Sequence, residues 1–94
     1  MAYWFDWDPA KAASNLKKHG VSFPEATTAF GDALSILWPD PSHSRGEARY
    51  LVLGVSDKQR LLVVAFADRE PRTRIISARL ATRSERRRYE EAEG

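Results

Sequence analysis

The sequence predicts an α+β domain: a small antiparallel sheet of about four strands, packed by two N-terminal helices and one C-terminal helix. Three observations predict it. The first is Leu61–Ala67, LLVVAFA, seven apolar residues in a row between polar turns. That is strand length, and its Val and Phe content favours a strand over a buried helix. It lacks the alternation of a half-buried strand, so it is expected at the centre of the sheet, covered on both faces. The second is the pair of short connections around it, Ser56–Arg60 and Asp68–Arg72, which make a meander of antiparallel strands. The third is segregation: helical patterns and runs of strands occupy separate stretches, which indicates α+β rather than a parallel α/β fold.

Each element follows in order. Tyr3–Trp7 is aromatic and mostly apolar and reads as a short strand. Asp8 caps a helix whose first residue is Pro9, where the missing N–H costs nothing. It runs to His19, and Gly20 ends it. On its wheel Lys11, Asn15 and Lys18 form one stripe. Ala12, Ala13 and Leu16 form the opposite, buried side, with His19 at the seam. Ser22 and Glu25 have capping-box spacing and open a second, short helix that ends near Phe30-Gly31-Asp32. Leu34–Trp38 reads as a strand and residues 39–45, PDPSHSR, as a polar loop. Ala48–Val55 is a strand with Tyr50, Val52 and Gly54 on one face and Arg49, Leu51, Leu53 and Val55 on the other. Arg74–Ala78 is the last strand. Thr82 and Glu85 repeat the capping-box spacing and open the final helix, which runs to Glu93, with Arg86–Glu90 and Arg87–Glu91 spaced to pair.

The 94 residues, 43% hydrophobic and 30% charged, suit one folded domain over residues 1–94. The opening MAYWFDWDPA lacks a basic stretch followed by an apolar one, so no secretory signal is expected. No membrane span is expected either, and cytoplasm is the expected compartment. There is no Cys, and the two His, His19 and His43, do not have metal-ligand spacing, so no metal site or cofactor is expected. Net charge is only +2 but uneven: residues 69–88 hold eight Arg against two Glu. Arg grips phosphate bidentately, so this stretch points to RNA or another polyanion.

Three clusters carry the candidate chemistry. Lys11, Asn15, Lys18 and His19 on the first helix either hold a phosphodiester or form a solvated face. Asp40, His43, Glu47 and Arg49 surround the start of a strand, where Glu47 and Arg49 share a face. They are either an oriented base with its cation or a surface ion pair. Arg74, Ser77, Arg79, Arg83 and Tyr89 lie where a strand feeds a helix N-terminus, a good anion seat. The alternative there is that Arg79 pairs with Glu85 and Tyr89 packs in the core. No P-loop, nucleophile elbow or dinucleotide fingerprint is present.

Beyond these patterns, FDWDPAKAASNLKKHGVSF, DPSHSRGEAR, LLVVAFADRE and RIISARLATRSERRRYE, in that order, closely resemble the BrnT family, ribonuclease toxins of bacterial type II toxin–antitoxin pairs. The resemblance runs from Phe5 to about Tyr89. It departs at Ala33, where the family commonly has Pro, and at Ala67, where Thr or Ser is frequent. Neither position touches the charged clusters.

The resemblance implies a RelE-like fold, metal-independent endonucleolytic cleavage of RNA that inhibits translation, and neutralisation by a BrnA-like ribbon-helix-helix antitoxin. Contact with DNA would be only indirect, through that antitoxin. Its matching positions are Lys18, His19, Glu47, Arg49, Arg74, Arg79, Glu85 and Tyr89. Metal-free cleavage needs a base for the 2′-OH, cations for the phosphorane and an acid for the 5′-oxygen. Arg79, Arg49 and Lys18 are assigned to the phosphate. Glu47 or His19 is assigned as base, and the other, or Tyr89, as acid. Lys11, Asn15, Arg74 and Arg83 are assigned to RNA binding, Arg74 being structural or peripheral. Arg79→Ala is expected to abolish toxicity without disturbing the fold. The rival readings are a non-catalytic RNA- or protein-binding module and a ParE-like gyrase poison.

Overall fold

The computed structural model describes residues 4–43 and 46–93. Tyr3, Ser44 and Arg45, which the sequence places in a strand and a loop, lie outside the described residues. The elements are β1 (Trp4–Asp6), α1 (Pro9–His19), α2 (Phe23–Thr28), β2 (Ile36–Pro39), β3 (Arg49–Val55), β4 (Leu61–Arg69), β5 (Arg72–Leu80) and α3 (Arg83–Glu93). Short 3-10 turns lie at Ala29–Gly31 and Pro41–His43.

The caps form as their residues dictate. The Asp8 carboxylate accepts from the amides of Ala10 (2.8 Å) and Lys11 (3.4 Å). Gly20, at φ 69°, closes α1 by donating its N–H to the Leu16 carbonyl. Thr82 and Glu85 complete their box: the Glu85 amide donates to Thr82 Oγ1 (3.2 Å) and the Thr82 amide to Glu85 Oε1 (2.8 Å). The box at α2 is half made. Ser22 Oγ accepts from the Glu25 amide (3.1 Å), but the Glu25 carboxylate turns away to Arg60 and Ser56. On α3, neither Arg86–Glu90 nor Arg87–Glu91 forms the expected ion pair among the described residues.

The sheet has five strands in the order β1-β5-β4-β3-β2. The α+β class stands, but the sheet is mixed, not an antiparallel four-stranded one. β1 pairs parallel to β5, Asp6 beside Arg74, while the other neighbours are antiparallel. A parallel pair needs a long crossover, here the whole of residues 7–71, which no local pattern reveals. β4 is central and buried on both faces, as its unbroken apolar run requires. Leu62, Val64 and Phe66 face α1 and α2 and join Val21, Phe23, Val52 and Ile75. Leu61 and Val63 face α3 and join Leu53 and Tyr89. α3 therefore covers one end of its face and leaves the other end open.

Three residues correct the helical wheel of α1. Asn15 is buried, whereas Leu16 and Ala13 are exposed. β1 ends its ladder on β5 at Arg74, so β5 has a free edge beyond it. The Asn15 amide fills that edge: Nδ2 donates to the Ala78 carbonyl (2.8 Å) and Oδ1 accepts from the Ala78 amide (3.1 Å). Nδ2 also donates to the Val21 carbonyl (3.0 Å).

Candidate functional site

The open end of the α3 face is built by strand register. Residues paired directly across strands share a face. One row across the sheet is Asp6, Arg74, Ala67 and Arg49. The next is Ser77, Ala65, Leu51 and Trp38, and the third is Arg79, Val63, Leu53 and Ile36. Three arginines from two non-neighbouring strands thus stand on one face. Ala67 is fully buried between Arg49 and Arg74 in its row.

A recess of about 330 Å³ opens there, lined by Asp40, His43, Arg49, Leu51, Ala65, Ile76 and Ser77. It brings together residues of the second and third sequence clusters, Asp40, His43 and Arg49 with Ser77. His43 and Asp40 arrive together on the 3-10 turn after β2. His43 Nδ1 lies 2.9 Å from Asp40 Oδ2 and 3.2 Å from Ser42 Oγ, so with Nδ1–H donating to the carboxylate, Nε2 is left to accept a proton. The hydrogen bond from His43 holds the Asp40 carboxyl below its usual range, with Ser42 adding to it against desolvation. At the rim Arg88 of α3 sits over the Trp38 ring, 5.3 Å from its centre, an arrangement that offers a flat cationic and aromatic surface.

The remaining candidates fall into place as follows. Glu47 takes a bidentate grip from Arg69 (2.7 and 3.1 Å) and lies 3.6 Å from Arg49. The Arg69 hydrogen bond holds its carboxyl low, against some desolvation. Its carboxylate thus accepts from Arg69 while lying beside Arg49. Arg79 spends its guanidinium on Glu85 (2.8 and 2.9 Å). That pair lowers Glu85 to about 2, the Arg79 hydrogen bonds outweighing burial and the Thr82 amide adding to them. Arg79 thus fixes the start of α3. Tyr89 is 8% exposed and its hydroxyl donates to Asp32 Oδ2 at 2.5 Å. Asp32 also accepts from the amides of Val55 and Leu34 (both 2.9 Å). Although burial raises the Asp32 carboxyl, these three bonds together lower it. Tyr89 thus packs in the core with its hydroxyl held by Asp32. Arg74 stands 3.5 Å from Asp6.

Lys11, Lys18 and His19 do not join the recess. They ride on α1, whose Ala12 packs on the Val64 and Ile75 side of the sheet. Arg83 is exposed at the start of α3. His43 and Asp40, which the sequence groups with Glu47 and Arg49 but which carry no catalytic assignment there, are the polar pair that lines the recess. The signal was the i, i+3 spacing of Asp40 and His43 in a loop of turn formers, next to the strand that starts at Arg49.

These features define a class: a small α+β domain with an arginine-lined, half-uncovered sheet face. A family model described as "Ribonuclease toxin, BrnT, of type II toxin-antitoxin system" matches residues 7–85. The chain belongs to that family. Its fold is similar to the 1.1 Å crystal structure of the Brucella abortus ribonuclease toxin BrnT, with a TM-score of 0.67 at 20% identity, over 87% of this chain and 100% of that one. The comparison with curated proteins gives no match.

Proposed function

We propose that this chain is a metal-independent endoribonuclease whose reaction takes place in the recess on the open sheet face. The observation that carries the reading is the convergence of Arg49, Ser77 and the Asp40–His43 pair on one concavity. Arg49 sits against the scissile phosphate and offsets the charge of the phosphorane. His43 Nε2 takes the 2′-OH proton, with Asp40 orienting the ring and stabilising the imidazolium. The 2′-oxygen bonds to phosphorus, the bond to the 5′-oxygen breaks, and the 5′-oxygen leaves with a proton from water. Arg74 and the Arg88–Trp38 pair hold the flanking nucleotides. Arg83, Lys11 and Lys18 lie outside the recess and add long-range attraction to the RNA backbone; His19 lies outside the recess as well. Glu47 and Arg79 position their neighbours instead of reacting.

Family membership supports the wider reading: RNA cleavage that halts translation in the cytoplasm, restrained by an antitoxin of the BrnA ribbon-helix-helix kind. The test is purified, antitoxin-free protein on naked RNA in EDTA, with Arg49→Ala, His43→Ala and Arg79→Ala beside it. Wild type cleaves, and the first two variants lose at least about a hundredfold in rate. Arg79→Ala loses thermal stability. A folded Arg49→Ala variant that cleaves at the wild-type rate refutes the assignment. Activity only with translating ribosomes would make the ribosome part of the site. DNA damage in expressing cells without RNA loss would replace the reading with a gyrase poison.

A further inference from the structure

The opposite sheet face carries a second, larger concavity. Tyr50, Val52 and Phe66 alternate with the recess residues along β3 and β4 and so point the other way. Together with Phe30, Leu37 and Trp4 they line a groove of about 730 Å³. Its floor is aromatic: Phe30 meets Phe66 edge-on at 4.9 Å, and Tyr50 stacks on Phe66 at 5.5 Å. Its lips are apolar and unburied, Trp4 being 62% and Leu37 60% exposed. Large apolar side chains left in water around a concave floor mark a binding surface. α1 and α2 cover this face elsewhere but stop short of the groove.

The rim gives the occupant's charge. Asp68 and Glu70 line the groove. The neighbouring cations are already engaged, Arg69 with Glu47 and Arg72 with Asp6 at 3.7 Å. Neither Asp68 nor Glu70 has an ion-pair partner among the described residues. Two uncompensated carboxylates repel RNA and attract Lys or Arg. The groove is thus unsuited to the polyanion that the arginine face fits.

We propose that this groove docks a segment of the protein antitoxin, with apolar side chains entering between Trp4, Leu37 and Phe66 and Lys or Arg residues meeting Asp68 and Glu70. The proposal rests on the reading of the chain as a toxin with a protein antitoxin. The groove and the recess lie on opposite faces of one sheet, so this contact anchors the antitoxin without itself filling the recess.

The test measures binding of the purified protein encoded by the gene adjoining this one, to wild type, Leu37→Asp, the double variant Asp68→Lys with Glu70→Lys, and Arg49→Ala. Leu37, Asp68 and Glu70 are exposed and Arg49 is half-buried, and circular dichroism checks each fold. Leu37→Asp is expected to weaken binding at least 30-fold and the charge reversal at least 10-fold. Arg49→Ala is expected to change it less than threefold. On binding to the wild type, the tryptophan emission shifts to the blue, and the shift is smaller in Trp4→Phe, which keeps only Trp7 and Trp38. RNA cleavage by Leu37→Asp matches wild type, so a failure of the ribonuclease reading shows as a silent wild type while the binding results stand apart. The proposal is overturned if the groove variants bind normally, if Arg49→Ala loses binding instead, if the wild type does not bind, or if the groove proves to be a homodimer contact split by Leu37→Asp.

Discussion

Replacing Asn15 separates a structural amide from a nucleic-acid contact. The side chain is 7% exposed and makes three hydrogen bonds, of 2.8, 3.0 and 3.1 Å, all to backbone groups of Val21 and Ala78. Asn15→Ala leaves one N–H and two carbonyls without these partners in a buried setting. At about 1 kcal/mol for each net bond, with a larger penalty where water cannot enter, the loss is about 3 kcal/mol. For a domain of this size each kcal/mol moves Tm by about 4–8 °C, so the midpoint falls by about 12–24 °C. Asn15→Asp fares no better, because it turns a carboxylate oxygen toward two carbonyls where a donor stood. Lys11→Ala, one turn away but exposed, changes stability by less than about 0.5 kcal/mol. The assay is thermal and urea unfolding, run beside RNA affinity. An Asn15→Ala variant that melts with the wild type while binding RNA more weakly would refute the reasoning and return Asn15 to the RNA surface.

Three further outcomes follow from the same geometry. Gly54→Ala sets a Cβ 2.5 Å from the Ala29 carbonyl oxygen and 3.2 Å from Ser35 Cβ; it is expected to cost about 1–3 kcal/mol, read as a lower urea midpoint. Tyr89→Phe removes the hydroxyl bonded to Asp32 and is expected to cost about 1.5–3 kcal/mol while RNA cleavage persists; loss of cleavage in a folded variant would restore Tyr89 as the acid. The Glu85 carboxyl is lowered from 4.5 to about 2 in the folded protein. Its contribution to stability is therefore complete above about pH 4.5 and is lost as pH falls toward 2, and Glu85→Gln should flatten the acid limb of a stability–pH curve over that window.

The features legible in the sequence were those set by near neighbours. An unbroken apolar run is buried on both faces whatever lies around it, so β4 could be placed. Asp8, Gly20, Thr82 and Glu85 cap the helices through groups no more than four residues away. What escaped depends on distant partners. Asn15 and Lys11 look alike on a helical wheel, and only the free edge of β5, 63 residues away, draws one of them inward. The Leu16 side chain was assigned to the core because it is apolar, yet α1 presents Asn15 there and leaves Leu16 in water. The same limit applied to the site. Arg49 was legible as a candidate, but its meeting with Ser77 depends on β3, β4 and β5 lying in register. Arg79 and Glu85, six residues apart, could be read either as anion seat or as ion pair, and the geometry chooses the pair.

One irregularity explains how the RIISAR segment serves the open face. In a regular strand Arg74 and Ser77 are three residues apart and point to opposite faces, as do Arg74 and Arg79. Here the register between β4 and β5 shifts at Ala65/Phe66: Ala65 pairs with Ser77 but Phe66 pairs with Ile75, so Ile76 is an extra residue. Such a bulge reverses the alternation beyond it. Ile75 can then turn into the core beside Phe66 while Arg74 turns to the side of Ser77, Arg79 and Arg49. The parity of β1 follows from the same step. Asp6 is carried to the arginine face beside Arg74, and Phe5 is left for the core. Without the extra residue, a regular β5 that kept Ser77 and Arg79 where they are would send Arg74 to the core face and Ile75 to the open one. Arg74 would then lie opposite Asp68, where Thr73 now sits, and Ile75 would lose its place in the core to stand against Ala67 on the open face. The bulge is thus what allows a single strand to place Ile75 and Ala78 in the core and all three of its polar candidates on the opposite face.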